Sequence, residues 1–193
     1  MNDVVEALQP VVEVLDELTV RYRVGGSVAS SAFGVPRSTL DVDIACELGL
    51  AHVARFVDRL WERYYVDADM ISEAIRRRAT FNLVHLATML KVDVFIRKGR
   101  AFDASSFERV TRKALDVAEG ARSFDLTTAE DIILHKLEWY RAGNEISERH
   151  WLDLVGVLKV QANVIDVGYL RRWANELAVI DLLERALIAA ETP

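Results

Sequence analysis

Between residues 4 and 18, apolar side chains fall at Val4, Val5, Leu8, Val11, Val12, Leu15 and Leu18. This is the 3.6-residue spacing of a helix with one buried stripe, running through Pro10. Tyr22-Arg23-Val24 then predicts a short strand, cut by Gly25-Gly26, and residues 27–33 predict a small-residue helix stopped by Gly34 and Pro36. Residues 39–46 alternate and then become continuously apolar, as suits a strand near the middle of a sheet. An amphipathic helix follows over 51–61, and strands over 81–87 and 91–96 lie close enough to form an antiparallel hairpin.

Beyond about Thr127 the pattern changes. Residues 128–142, 147–160, 167–177 and 180–190 all carry helical periodicity, with Thr128 and Ser147 placed as helix starts. The expected class is α+β (α/β): a small mixed twisted sheet flanked by helices over residues 1–126, followed by a C-terminal helical bundle over 127–193.

The chain has 193 residues, 51% hydrophobic and 28% charged, with 9 Gly and 3 Pro. That suits a folded core and excludes a disordered or collagen-like chain. The formal charge of −6 argues against a surface that coats extended duplex DNA. Two local basic clusters, Arg76-Arg77-Arg78 and Arg109 with Arg112 and Lys113, fit small positive patches or solvated faces. The lone Cys46 excludes an internal disulfide and reads as a buried thiol. No apolar run reaches membrane-spanning length and the N-terminus is acidic, so the expectation is a cytoplasmic protein with no membrane partner.

In Arg37-Ser38-Thr39-Leu40-Asp41-Val42-Asp43-Ile44, the strand period of two sends Thr39, Asp41 and Asp43 to one face. The two carboxylates then stand about 6–7 Å apart. Like charges that close need a cation. A third acid, Asp93, lies in the strand Lys91-Val92-Asp93-Val94-Phe95-Ile96. Three carboxylates without His or Cys suit a hard ion, Mg²⁺ or Mn²⁺, if the two strands are neighbours. Upstream, Gly25-Gly26-Ser27 between a strand and a helix presents backbone N–H groups and a hydroxyl to an anion, although a plain tight turn accounts for a double glycine as well. No Walker-type or Gly-x-Gly-x-x-Gly loop is present.

Gly25-Gly26-Ser27, Arg37-x-Thr39-x-Asp41-x-Asp43, Asp93, and the segment Asp131-Ile132-Ile133-Leu134-His135-Lys136-Leu137 with Asp153-Leu154 together resemble the DNA polymerase beta-like nucleotidyltransferase superfamily, in its AbiEii-like toxin-type branch. Relatives often carry Arg-Asp-x-x-Asp on the later helix; of its two acids, Glu148-Arg149-His150-Trp151-Leu152-Asp153 has only Asp153. The resemblance implies a nucleotidyltransferase fold. It implies that Gly25, Gly26, Ser27, Arg37, Thr39 and Lys136 hold a nucleoside triphosphate, and that Asp41, Asp43 and Asp93 bind two Mg²⁺ (or Mn²⁺) ions. Lys136 and Asp153 join the three acids as candidate catalytic residues.

Lys136 also stands out by position, in the middle of the apolar stripe Ala129, Ile132, Ile133, Leu137 and Tyr140. A charge there snorkels, pairs with a buried acid or contacts a phosphate. Asp153 lies one turn after Arg149, so a surface ion pair explains it as well as a catalytic role. His52, His85, His135 and His150 have no metal-ligand spacing. Trp61, Trp139, Trp151 and Trp173 read as packing residues, with Trp139 and Tyr140 also able to stack on a base.

The implied activity is Mg²⁺-dependent transfer of a nucleoside monophosphate to an acceptor hydroxyl with release of pyrophosphate. The acceptor would be tRNA or protein if the chain is a toxin with a cognate antitoxin, or a small molecule as in antibiotic nucleotidyltransferases. A non-catalytic nucleotide-binding or antitoxin-like module is the alternative from another class.

Overall fold

The computed structural model describes residues 2–115 and 121–191. Nine α-helices and seven strands are present among them: α1 (Asn2–Glu17), β1 (Tyr22–Val24), α2 (Gly26–Phe33), β2 (Asp41–Cys46), α3 (Val53–Leu60), β3 (Tyr64–Tyr65), α4 (Ala68–Arg77), β4 (Thr80–His85), β5 (Lys91–Ile96), α5 (Ala101–Glu108), β6 (Val110–Ala114), β7 (Ser123–Thr127), α6 (Ala129–Ala142), α7 (Glu148–Gln161), α8 (Val167–Glu176) and α9 (Ile180–Glu191). A 3₁₀ turn, Leu50–His52, leads into α3. None of the described helices is long and apolar enough to cross a membrane.

The chain divides into two compact units, one of residues 1–25 and 38–126, the other of 26–37 and 127–193. The helix after the double glycine thus belongs with the C-terminal helices, although it precedes most of the sheet in sequence.

In the first unit the strands form one mixed sheet in the order β3-β4-β5-β2-β1-β7-β6. β4 and β5 make the expected antiparallel hairpin, while β2 and β5 run parallel. One face is apolar: Val42, Ile44, Cys46, Leu83, Val92 and Val94 are fully buried, and Phe81 and Ile96 nearly so. Burying each such aliphatic side chain contributes about 1.5–3 kcal/mol. α1 packs on β2 and β5 and against α3, presenting Ala7, Leu8, Val11, Val12 and Leu15. The face opposite holds the polar residues of the alternation.

In the second unit α6 packs on α7 and α8, α7 and α8 pack on α9, and α2 lies on α6 and α7. The four C-terminal helices follow the expected periodicity. Thr128 and Ser147 cap as expected, accepting the N–H of Asp131 and His150, and Asp166 caps α8 through Tyr169. At Gly34 an added Cβ would stand 2.9 Å from the Val157 backbone nitrogen, so only glycine lets α2 approach α7 this closely.

Several elements go beyond those expected from the sequence: β3, with two residues; the edge strand β6, largely exposed; β7; and the helices α4 and α5. The expected strand over 39–46 begins at Asp41, after a bend at Leu40. Arg76 and Arg77 are solvated, pairing with Glu73 on α4, and Arg78 ends that helix in the left-handed conformation. Trp173 is core and Trp151 stacks with Tyr140 at 5.3 Å, whereas Trp61 and Trp139 are more than half exposed and lie outside the core.

Candidate active site

In the first unit, β2 and β5 lie side by side in a register that pairs Asp43 with Asp93 and Asp41 with Lys91. Neighbouring strands are about 4.8 Å apart, and alternation puts Asp41, Asp43, Lys91 and Asp93 on one face, opposite the buried valines and isoleucines. The three acids of the sequence reading therefore share a patch of sheet. β4 adds Asn82 beside Asp93.

Their side chains are individually engaged. The Thr39 hydroxyl donates to Asp41 Oδ1 at 2.6 Å, and Lys91 Nζ donates to Asp93 Oδ2 at 2.7 Å. That hydrogen bond raises the affinity of Lys91 for its proton, outweighing the effect of burial, with the charges of Asp93, Asp41 and Asp43 adding to it. Among the described residues, no group of three or more His, Cys, Asp or Glu side chains is gathered closely enough to hold a metal ion as it stands. The tight cage expected from the sequence is thus not preformed. The acids share a face, but one leans to a hydroxyl and another to a lysine.

The donor set nevertheless fits a hard dication. It consists of carboxylate oxygens on adjacent rungs, and it has already drawn a cation, the Lys91 ammonium. Asp41, Asp43 and Asp93 are the residues that would hold such an ion.

The glycine turn is more constrained than its sequence suggests. Gly25 N–H donates to the Asp43 carbonyl at 2.9 Å, so this donor serves the β1–β2 pairing rather than an anion. Gly26 has φ 54°, the left-handed region that favours glycine, and opens α2.

In the second unit, Asp153 on α7 is the hub of a polar cluster. Lys136 Nζ on α6 donates to its Oδ2 at 2.8 Å, with both side chains only 8% exposed. Arg37 grips the same carboxylate with two nitrogens, Nε to Oδ1 at 2.8 Å and Nη2 to Oδ2 at 2.9 Å. Arg37 Nη2 also donates to the buried Ser27 hydroxyl, which accepts from Arg149 Nη2 at 3.3 Å as well. Burial alone would raise the Asp153 pKa, but the hydrogen bonds from Arg37 and Lys136 outweigh it and hold the carboxyl below its ordinary value. His150 is pushed down by burial and by Lys136, and its Nδ1 is buried without a hydrogen-bond partner.

Lys136 pairs with a buried acid, and Asp153 makes an internal pair with Lys136 and Arg37 rather than a surface pair with Arg149. Three cations, Arg37, Lys136 and Arg149, meet at one carboxylate and one serine hydroxyl, and their N–H donors are of the kind that suits phosphate oxygens. The sequence reading missed Lys91, although its i, i+2 relation to Asp93 was visible. It also missed Arg149 as a donor to Ser27, which no local spacing reveals.

No protein-family profile matches the sequence, and no curated protein sequence matches it. Solved structures do match. The antibiotic-resistance factor ANT(2'')-Ia in solution superposes with a TM-score of 0.57 at 14% identity, covering 94% of this chain and 96% of that one. ANT(2'')-Ia in complex with adenylyl-2''-tobramycin gives 0.55 at 12% identity, over 90% and 96%. An antigenic nucleotidyltransferase-like protein from Paracoccidioides brasiliensis gives 0.54 at 15% identity, over 97% and 93%. The chain has the nucleotidyltransferase fold. The expected fold class is borne out at a level of identity where the likeness speaks for architecture alone.

Proposed function

We propose that this protein transfers a nucleoside monophosphate from a nucleoside triphosphate to an acceptor hydroxyl, releasing pyrophosphate. The observation that carries this reading is the β2–β5 register, which sets Asp43 beside Asp93 and Asp41 one rung away on the polar face of a sheet with the nucleotidyltransferase fold. Divalent cations, Mg²⁺ or Mn²⁺, held by Asp41, Asp43 and Asp93 would neutralise triphosphate charge and lower the pKa of the acceptor hydroxyl.

The acceptor oxygen bonds to the α-phosphorus as the bond to the bridging oxygen of pyrophosphate breaks. Asp93 takes the hydroxyl proton on a carboxylate oxygen. Asp41 and Asp43 supply the remaining negative charge of the sheet face, with Thr39 fixing the Asp41 rotamer through its 2.6 Å hydrogen bond. Gly26, Ser27, Arg37 and Lys136 are assigned to the triphosphate, whose oxygens compete with Asp153 for the same donors. Catalysis is assigned to residues 1–126 and substrate positioning to 127–193, whose compact unit also includes 26–37.

The AbiEii-like resemblance extends the reading to a toxin-type enzyme acting on tRNA or protein, with an antitoxin partner. The adenylyl-tobramycin bound by one fold relative supports a small-molecule acceptor as the second reading. The test is incubation with each α-labelled triphosphate and Mg²⁺, offering total tRNA, cell protein or aminoglycosides. Label in one acceptor class, lost in Asp41→Asn, is the expected result. No transfer from any triphosphate to any class overturns the proposal.

A further inference from the structure

Lys91 occupies a position no ordinary surface lysine has. Its register partner on the adjacent parallel strand is Asp41, and its same-face neighbour two residues along is Asp93, itself paired with Asp43. Four charged residues, three negative and one positive, thus occupy two adjacent rungs of one sheet face. The ammonium lies 2.7 Å from Asp93 Oδ2. Asp93 is the better shielded partner, with 16% of its side chain exposed against 47% for the lysine.

An ammonium is a compact point charge on a flexible four-carbon stem. It draws on the same carboxylate charge that a metal ion would. A dication coordinated by Asp93 would be repelled by the lysine's charge while that stayed close. The half-exposed stem gives Lys91 a route outward into solvent when it is displaced.

We propose that Lys91 is a built-in counter-cation of the acid cluster, holding Asp93 until a divalent ion takes its place and thereby weakening the binding of that ion to the free protein. This inference rests on the reading that Asp41, Asp43 and Asp93 bind a divalent cation. Lys91 is on this account a positioning residue, acting through Asp93. Two consequences follow from one charge: the metal-free cluster is neutralised in part, and the metal-bound cluster must first displace a competitor.

The test is titration of the purified protein with Mn²⁺, following free Mn²⁺ by electron paramagnetic resonance, for the parent, Lys91→Met and Lys91→Arg. Lys91→Gln is measured in parallel as a second neutral variant, and circular dichroism confirms the fold of each. The methionine and glutamine variants are expected to bind Mn²⁺ about tenfold more tightly than the parent, and the arginine variant to return to parental affinity. Without metal, Lys91→Met is expected to melt below the parent, and Mn²⁺ to raise its melting temperature by more. Equal Mn²⁺ affinity in the parent and both neutral variants overturns the counter-cation role and leaves the metal reading standing. No Mn²⁺ bound by any variant overturns the metal reading, and this proposal with it.

Discussion

Lys136 Nζ and Asp153 Oδ2 meet at 2.8 Å with 8% of either side chain exposed, and the same carboxylate is clamped by both Arg37 nitrogens. Removing one member of such a pair leaves an uncompensated buried charge, at a cost of about 3–5 kcal/mol. Lys136→Met leaves Asp153 its Arg37 partner and is expected to fall near the lower end of that range. Asp153→Asn leaves two cations beside a neutral amide and is expected to fall near the upper end, lowering the melting temperature by roughly 10 °C. Thermal melts of both variants at neutral pH check the order.

The same cluster fixes a pH dependence. The carboxyl of Asp153 titrates lower in the folded protein than its ordinary value of 3.8. A depressed carboxylate stabilises the fold at pH values above its unfolded pKa and loses that contribution as pH falls through its folded pKa. The stability gap between the parent and Asp153→Asn is therefore expected to be constant from neutral pH to about pH 5 and to shrink below about pH 4. Urea melts at a series of pH values measure it, and a gap that does not narrow in acid contradicts the assignment.

The sequence exposed the polar face of the sheet better than it exposed the Asp153 cluster. Asp41, Asp43 and Asp93 alternate with valine and isoleucine, and a period of two is a local signal that survives folding. The strand neighbours were open, and the parallel β2–β5 register supplies them. The Arg37–Asp153 pair spans 116 residues, and no local pattern encodes such a contact. The Gly25 N–H was misread for a related reason. Its partner, the Asp43 carbonyl, is set by strand pairing, which is invisible in a dipeptide.

Cys46 ends β2 with no exposed surface. Burial pushes its thiol pKa up to about 12, and the thiolate is the reactive form. Native protein at pH 8 is expected to leave a thiol reagent such as dithiobis(nitrobenzoate) unreacted over hours, and to release one equivalent of thionitrobenzoate once denatured. Rapid native labelling would show that β2 opens far more readily than its buried face suggests.

Gly34 and Gly49 offer a matched pair for packing. An alanine Cβ at Gly34 would meet the Val157 nitrogen at 2.9 Å and the Ser30 carbonyl at 3.0 Å, both backbone atoms, whereas at Gly49 the nearest atom is His52 Nδ1 at 3.7 Å. Overpacking against backbone costs about 1–3 kcal/mol. Gly34→Ala is expected to be destabilised by this amount, and Gly49→Ala to stay within about 0.5 kcal/mol of the parent. Chemical denaturation of both variants decides it.

Asp43 has an aspartate as its register partner and another two residues away on its own strand, so three like charges share the sheet face with Lys91. Charges held together against their mutual repulsion weaken a fold, and their retention calls for a compensating role. Asp43→Asn removes repulsion while keeping shape, and is expected to match or slightly exceed the parent in metal-free thermal stability. The proposed nucleotidyl transfer should meanwhile fall by a factor of at least about 10³, the scale on which losing a group that stabilises transition-state charge is felt. Opposite signs for stability and turnover separate a functional acid from a structural one. A variant that lost both together would place Asp43 among the residues that hold the sheet, and one that lost neither would remove it from the proposed chemistry.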